Sequence, residues 1–312
     1  MDVVTDSSSR LTGEKPDIQW VDWQWQAPEG FVLRGQHTEP RGLPILHFIH
    51  GNSYCGMIYA PLWELLAPHF DIFLHDTQGH GNSEHGGRFV GWERSAALAM
   101  EVWRKFSEAF LWSGEMPLQI GMGHSFGGVL TTAMQAQSPQ FFDRLLLLDP
   151  IVMPPLMLNF LRVLGAFGLY RLNPHAKRAA RRRPHWPSPD AALEALANRG
   201  MHKGWTPAAM EAFVTYGLEE NAQGEWQLKC LPSREAEVFS SYLPGLWKAI
   251  PTLHVPTDVI VGKETYPFVL ESMQHWRKVN PRTNILEVEG GHCFMQQHPR
   301  RTAQVICELL LR

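Results

Sequence analysis

The stretch GMGHSFGG, residues 121–128, sets a serine between Gly123 and Gly127 in the pattern G-x-S-x-G. Glycine and serine are common, so the letters alone do not separate a nucleophile from an ordinary turn, and the flanking sequence has to decide. Upstream, LQIGM reads as a short buried strand, and downstream GGVLTTAMQAQ reads as a helix. A serine at such a sharp strand-to-helix turn is presented outward, and the glycines relieve the crowding that the turn creates. Ser125 is therefore the candidate nucleophile, and the positive end of the helix behind it favours an anionic intermediate.

Outward from this turn, strand-like and helix-like pieces alternate from about residue 17. WVDWQWQ and FVLRGQH form an opening antiparallel pair around Pro28-Glu29-Gly30. LPILHFIHGN, FDIFLHDTQGHG, LQIGMGHS, RLLLLDP, PTDVIVGKE and TNILEVEGGH are each a short apolar run ending in Gly, Asp, Ser or His. Such runs are expected of buried parallel strands with helices over both faces, whose carboxyl-end loops bind ligands. YAPLWELLAPH, ERSAALAMEVWRKFSEAF, GGVLTTAMQAQ and PRRTAQVICELLLR are the intervening helices. Ala97, Leu98, Val102, Phe106 and Phe110 stripe one face of the second.

The alternation stops after Asp149-Pro150 and resumes near Pro256. Between them, PDAALEALANRG and TPAAMEAFVTYGLEE read as helices joined by Pro- and Gly-marked turns. The expected organisation is a flexible segment over 1–16, an α/β core over 17–151 and 246–312, and a mobile helical cap over 152–245 at the carboxyl edge of the sheet. The apolar run IVMPPLMLNFLRVLGAFGLY, 151–170, is interrupted by Pro154-Pro155, Asn159 and Arg162, so it is read as a buried or lid-like helix and not as a membrane span.

A net charge of −3 gives no field favouring nucleic acid or an anionic membrane. The basic run KRAARRR, 177–183, is read as the solvated face of a helix. Cys55, Cys230, Cys293 and Cys307 form no C-x-x-C pair, and the polar start MDVVTDSSSRLTGEKPD lacks the apolar core of a signal peptide. A reduced, cytoplasmic setting is expected, with a small molecule as partner, no nucleic acid and no stable membrane insertion.

A serine hydroxyl needs a base. His292 in EGGHCFMQQHP follows a strand and a Gly-Gly turn and precedes the last helix, which makes it the candidate. His47, His50, His75, His80 and His85 cluster in sequence, but their spacings match no zinc signature, so neither metal nor organic cofactor is expected. HGNSYCG, 50–56, follows the first long central strand, and its Asn52 N–H together with that of Phe126 could hold a tetrahedral oxyanion.

HGN after one strand, DTQGHGNS after the next, GHSFGG at the elbow and GGHCF near the end together resemble the α/β-hydrolase superfamily, in its capped branch of esterases, lipases, cofactor-free haloperoxidases and carbon–carbon bond hydrolases. The resemblance covers roughly residues 17–312. It implies an α/β-hydrolase fold, a mostly parallel central sheet flanked by helices with an inserted helical cap. It implies Ser125 as nucleophile, His292 as base, Asn52 and Phe126 as oxyanion donors, and Asp76 as a structural tie, with Gln78 where the family usually has arginine. The usual G-x-x-D position of the triad acid falls on Thr265 in VGKETYP. Threonine cannot charge-stabilise an imidazolium. Asp149 is the first choice for the acid, because RLLLLDP delivers it to the carboxyl edge next to the nucleophile strand, where some lipases of the superfamily carry theirs. Glu264, one residue before Thr265, is the alternative.

The leading functional expectation is a serine hydrolase of small or medium, largely apolar carboxylic esters working through an acyl-enzyme. Carbon–carbon bond hydrolysis or perhydrolysis with the same residues is the enzymatic alternative, and a non-catalytic small-molecule receptor is the alternative of another class.

Overall fold

A computed structural model describes residues 18–159 and 174–311. The expectation for 1–16 and that for residues 160–170 of the 151–170 run therefore lie outside the described residues.

Eight strands form one sheet in the order β1-β2-β4-β3-β5-β6-β10-β11. They are β1 (Trp20–Gln26), β2 (Val32–Thr38), β3 (Ile45–Ile49), β4 (Asp71–Asp76), β5 (Gln119–His124), β6 (Arg144–Leu148), β10 (Thr257–Gly262) and β11 (Asn284–Val288). β2 pairs antiparallel with β1 and with β4, and every other pairing is parallel. β3, β4 and β10 are buried at every residue, as expected for strands covered on both faces. Alternate residues feed opposite layers. Leu46, Phe48, Leu146 and Leu148 join one core cluster with Leu62 and Leu66 of the helix Ala60–Leu66 and Ile306 of the helix Pro299–Leu310. Ile45, Ile49, Leu145 and Leu147 join the other, with Leu98 and Val102 of the helix Trp92–Phe106 and Leu130 of the helix Phe126–Gln137.

β11 departs from the expected buried run: Asn284 and Glu287 are exposed, because it is an edge strand. A charged edge discourages pairing with another chain. The helix Pro267–Val279, which crosses between β10 and β11, has no counterpart in the sequence reading.

Between β6 and β10 lie the helices Pro174–Ala180, Pro189–Leu196, Pro207–Gly217 and Pro232–Phe239. They are accompanied by a small antiparallel sheet of order β7-β9-β8, from β7 (His185–Trp186), β8 (Leu218–Glu220) and β9 (Trp226–Leu228), so the insertion is not purely helical. Its Trp186, Met210, Phe213 and Leu228 belong to the same apolar cluster as Leu46 and Phe48 of β3 and Ile72 and Leu74 of β4, so this layer is continuous with the core. The basic run corrects the expectation in part. Lys177 and Arg178 are exposed, but the helix ends at Ala180 and Arg182 turns inward to pair with the buried Glu235 at 2.9 Å.

At the elbow, backbone segments approach closely. A β-carbon on Gly127 would stand 2.0 Å from the carbonyl oxygen of Ile49, and one on Gly123 would stand 2.4 Å from that of Gly127. Both neighbours are backbone and cannot swing aside. Gly127→Ala is expected to destabilise the protein by about 3 kcal/mol or more, at the severe end for one substitution. A urea midpoint within experimental error of the parent would contradict this packing.

Candidate active site

β5 ends at His124 and the next helix begins at Phe126, leaving Ser125 alone between them with φ 55° and ψ −114°. A positive φ on a residue with a β-carbon is strained, and such strain persists only where neighbours over-determine it. Here the Ser125 N–H donates to Leu148 O (3.0 Å), and its carbonyl accepts from Val129 and Ile151 (3.3 and 3.2 Å). The hydroxyl is left to the side chain of His292, whose Nε2 lies 2.9 Å from Ser125 Oγ.

His292 sits in the loop after β11 with its side chain 16% exposed. Its Nδ1 lies 2.8 Å from Oδ1 of Asp149, which is completely buried beyond the end of β6. A carboxylate only accepts, so Nδ1 carries the proton and Nε2 is free to accept the serine's. Two further donors hold the carboxylate: Thr265 Oγ1 donates to Oδ1 at 2.6 Å, and the Gly262 N–H donates to Oδ2 at 2.8 Å. Threonine at the usual acid position thus holds a carboxylate supplied by the neighbouring strand. Glu264 does not join: it is exposed on the same loop, and the Nδ1 it would need is already bound to Asp149.

Asn52 and Phe126, the residues expected to hold an oxyanion, flank the elbow. Phe126 is the first helical residue, where backbone N–H groups have no intrahelical partner. The segment before Asn52 lies against the elbow, with the Gly127 N–H donating to His50 O at 3.1 Å. The Asn52 side chain points elsewhere, with Oδ1 3.1 Å from His80 Nε2 and Nδ2 donating to Glu235 O at 3.3 Å. Its backbone is thereby pinned between the β4 loop and the insertion, a role that the sequence reading did not include.

Asp76 and Gln78 organise that loop. The Asp76 carboxylate accepts the Gly56 and Asn82 N–H groups (2.8 and 3.2 Å), and burial pushes its pKa up to about 6 despite them. Gln78 Nε2 reaches the carbonyls of His85, Gly86 and Arg88, while its Oε1 accepts the Val90 N–H. The cation missing from position 78 comes instead from Arg234 of the insertion, fully buried, which donates to His85 O and Gly87 O at 2.6 Å each.

Of the clustered histidines, His47 is fully buried among Phe73, Trp103 and Phe142, its pKa lowered by burial to about 3, so it serves as a neutral core ring. Among the described residues no group of three His, Cys, Asp or Glu could hold a metal ion, and no helix is long and apolar enough to cross a membrane. The four cysteines are free thiols.

Over 197 residues the chain is 35% identical to a type I acyl-CoA thioesterase of Penicillium roqueforti, covering 58% of this chain and 42% of that protein. Over 142 residues it is 28% identical to a monoglyceride lipase of Mus musculus, covering 44% and 46%. It thus spans less than half the length of these curated relatives. Among solved structures, an E-2-(acetamidomethylene)succinate hydrolase superposes with a TM-score of 0.72 at 17% identity, over 94% of this chain and 100% of that one. The thioesterase domain from the curacin biosynthetic pathway gives 0.68 at 16%, over 92% and 99%. At these identities the superpositions speak for the fold alone. The sequence pattern of one family spans residues 48–305, from within the first long parallel strand to the last helix and across the elbow, Asp149 and His292. With the mostly parallel sheet and the serine elbow in place, that match makes the chain a member of the alpha/beta hydrolase family.

Proposed function

We propose that the protein is a serine-dependent hydrolase of carboxylic esters or thioesters that works through an acyl-enzyme. The observation that carries the reading is the hydrogen-bonded line from Asp149 through His292 to Ser125, at 2.8 and 2.9 Å. In this reading, Ser125 Oγ attacks the acyl carbon as its proton passes to His292 Nε2, and the imidazolium is stabilised by the Asp149 carboxylate through Nδ1–H. The tetrahedral oxyanion takes the Asn52 and Phe126 N–H groups. Collapse returns the proton from Nε2 to the departing alcohol or thiol, leaving an ester at Ser125. Water, deprotonated by the same nitrogen, then attacks that ester; the Oγ–acyl bond breaks, the proton passes from Nε2 to Ser125 Oγ, and the acid departs.

Two relatives, 35% and 28% identical over their aligned residues, are named for thioester and glyceride cleavage, which supports an acyl substrate over a diketone. A non-catalytic receptor would be favoured by a triad without an acid, and Asp149 at 2.8 Å from His292 speaks against it. The described residues of the 152–245 insertion serve as the cap over this site. In support, Glu235 O accepts from Asn52 Nδ2 at 3.3 Å, and the ring of Trp205 lies 5.5 Å from that of Tyr54 in the Asn52 loop.

The test is a panel of nitrophenyl esters and acyl-CoA thioesters of increasing chain length, read in the first turnover as well as the steady state. Turnover of at least one series through a covalent acyl adduct on Ser125 is expected. Covalent modification of Ser125 without hydrolysis of any member would move the reading to another serine-dependent reaction.

A further inference from the structure

His124, the residue immediately before the nucleophile, is fully buried and carries two directed contacts. Its Nε2 lies 3.0 Å from the carbonyl oxygen of His292, and its Nδ1 lies 2.6 Å from the hydroxyl of Tyr59. The oxygen of Tyr59 accepts in turn the N–H of Gly51 at 3.1 Å. The proton assignment follows from the two ends. A carbonyl only accepts, so Nε2 carries the ring proton, and Nδ1 of a neutral ring accepts the tyrosine's proton, leaving the tyrosine oxygen to receive the amide's. Burial and the neighbouring His292 hold the His124 pKa well below its usual value, so the ring is neutral.

We propose that His124 is a positioning residue: through Tyr59 it ties the oxyanion loop at Gly51-Asn52 to the loop that carries His292, and so fixes the distance between oxyanion donor and base across Ser125. The inference rests on the serine-hydrolase reading above. The line is built tightly at each joint. A β-carbon on Gly51 would come within 2.7 Å of His124 Nδ1, so glycine at 51 is what lets the loop approach. Tyr59 is held by Phe48, Trp63 and Tyr54 at ring separations of 4.8, 6.0 and 6.3 Å, which leaves its hydroxyl one place to point. Catalysis depends on such spacing, because a displacement of about 1 Å from a remote change can cost about 10²-fold in rate. If the contacts only satisfied buried polar groups, their removal would lower stability and leave the rate per folded molecule alone.

The experiment compares the parent with Tyr59→Phe, His124→Leu and His124→Gln, each of full length. For each, kcat and KM are measured on the best ester of the panel, together with the rate of inactivation by a fluorophosphonate and the melting temperature. Tyr59→Phe keeps the ring and removes the hydroxyl. It is expected to lower kcat and the inactivation rate together by about 10-fold, with KM within about twofold, and His124→Leu by about 10²-fold. His124→Gln, whose amide can still donate to the His292 carbonyl, is expected to recover part of that loss. If His124→Leu does not fold, Tyr59→Phe decides. Variants that melt earlier but keep kcat within twofold of an active parent would overturn the inference alone. A parent inert toward both ester and fluorophosphonate would overturn the reading beneath it as well.

Discussion

Ser125→Ala is expected to fold like the parent and to lose hydrolysis down to background, a fall of about six orders of magnitude in kcat, as when other serine hydrolases lose their nucleophile. The fold should survive because the contacts that hold position 125 are backbone: its N–H to Leu148 and its carbonyl from Val129 and Ile151. Alanine and serine meet the same penalty at φ 55°, so the elbow is no more strained after the change. What disappears is the side-chain hydrogen bond with His292 Nε2. Circular dichroism and the melting temperature should match the parent while the rate collapses. Retention of a few per cent of kcat would place the nucleophile elsewhere.

Asp149→Asn is expected to lower kcat by about four orders of magnitude with KM nearly unchanged, because an amide offers His292 a wrong tautomer and no charge. Glu264→Gln, an exposed change on the neighbouring loop, is expected to leave kcat within about twofold, since surface carboxylates without partners contribute little. The clamp around Asp149 allows a sharper arm. Thr265 Oγ1 stands 2.6 Å from the oxygen that faces His292. An aspartate at 265 extends one bond further, toward the place that oxygen holds. The double variant Asp149→Ala with Thr265→Asp, in which that place is vacated, is expected to recover about 10²-fold over Asp149→Ala alone. Collapse in Glu264→Gln with little change in Asp149→Asn would reverse the assignment of the acid.

These effects fall on residues that differ greatly in how openly the sequence announces them. Ser125 is legible because the elbow is local, its glycines, strand and helix all lying within about twenty residues of one another. The buried strands are legible because burial on both faces writes unbroken apolar runs such as the LLLL of 145–148. The edge strand β11 is harder to grade, since half-exposure and apolar content mix in NILEV. The helix Pro267–Val279 did leave a signal, with Val269, Met273 and Trp276 buried at helical spacing behind a proline at its start. Strands of two and three residues, like those of the small sheet, are too short to show any period.

The acid is another matter. Asp149 meets Thr265 across 116 positions and His292 across 143, and the parallel pairings of β6 with β10 and of β10 with β11 make them neighbours. The side chain of Asn52, bonded across 183 positions to Glu235, and the link from Tyr59 to His124 across 65 leave no mark in local pattern. Long-range convergence of this kind is decided by topology, which the order of residues specifies only once the sheet is assembled.

The most direct measurement of the central claim is covalent labelling of the full-length protein with a fluorophosphonate, followed by peptide mapping. One equivalent bound at Ser125, slowed by orders of magnitude in Asp149→Asn and absent in Ser125→Ala, is the predicted result. A label on any other residue, or labelling at Ser125 that is indifferent to Asp149, would contradict it.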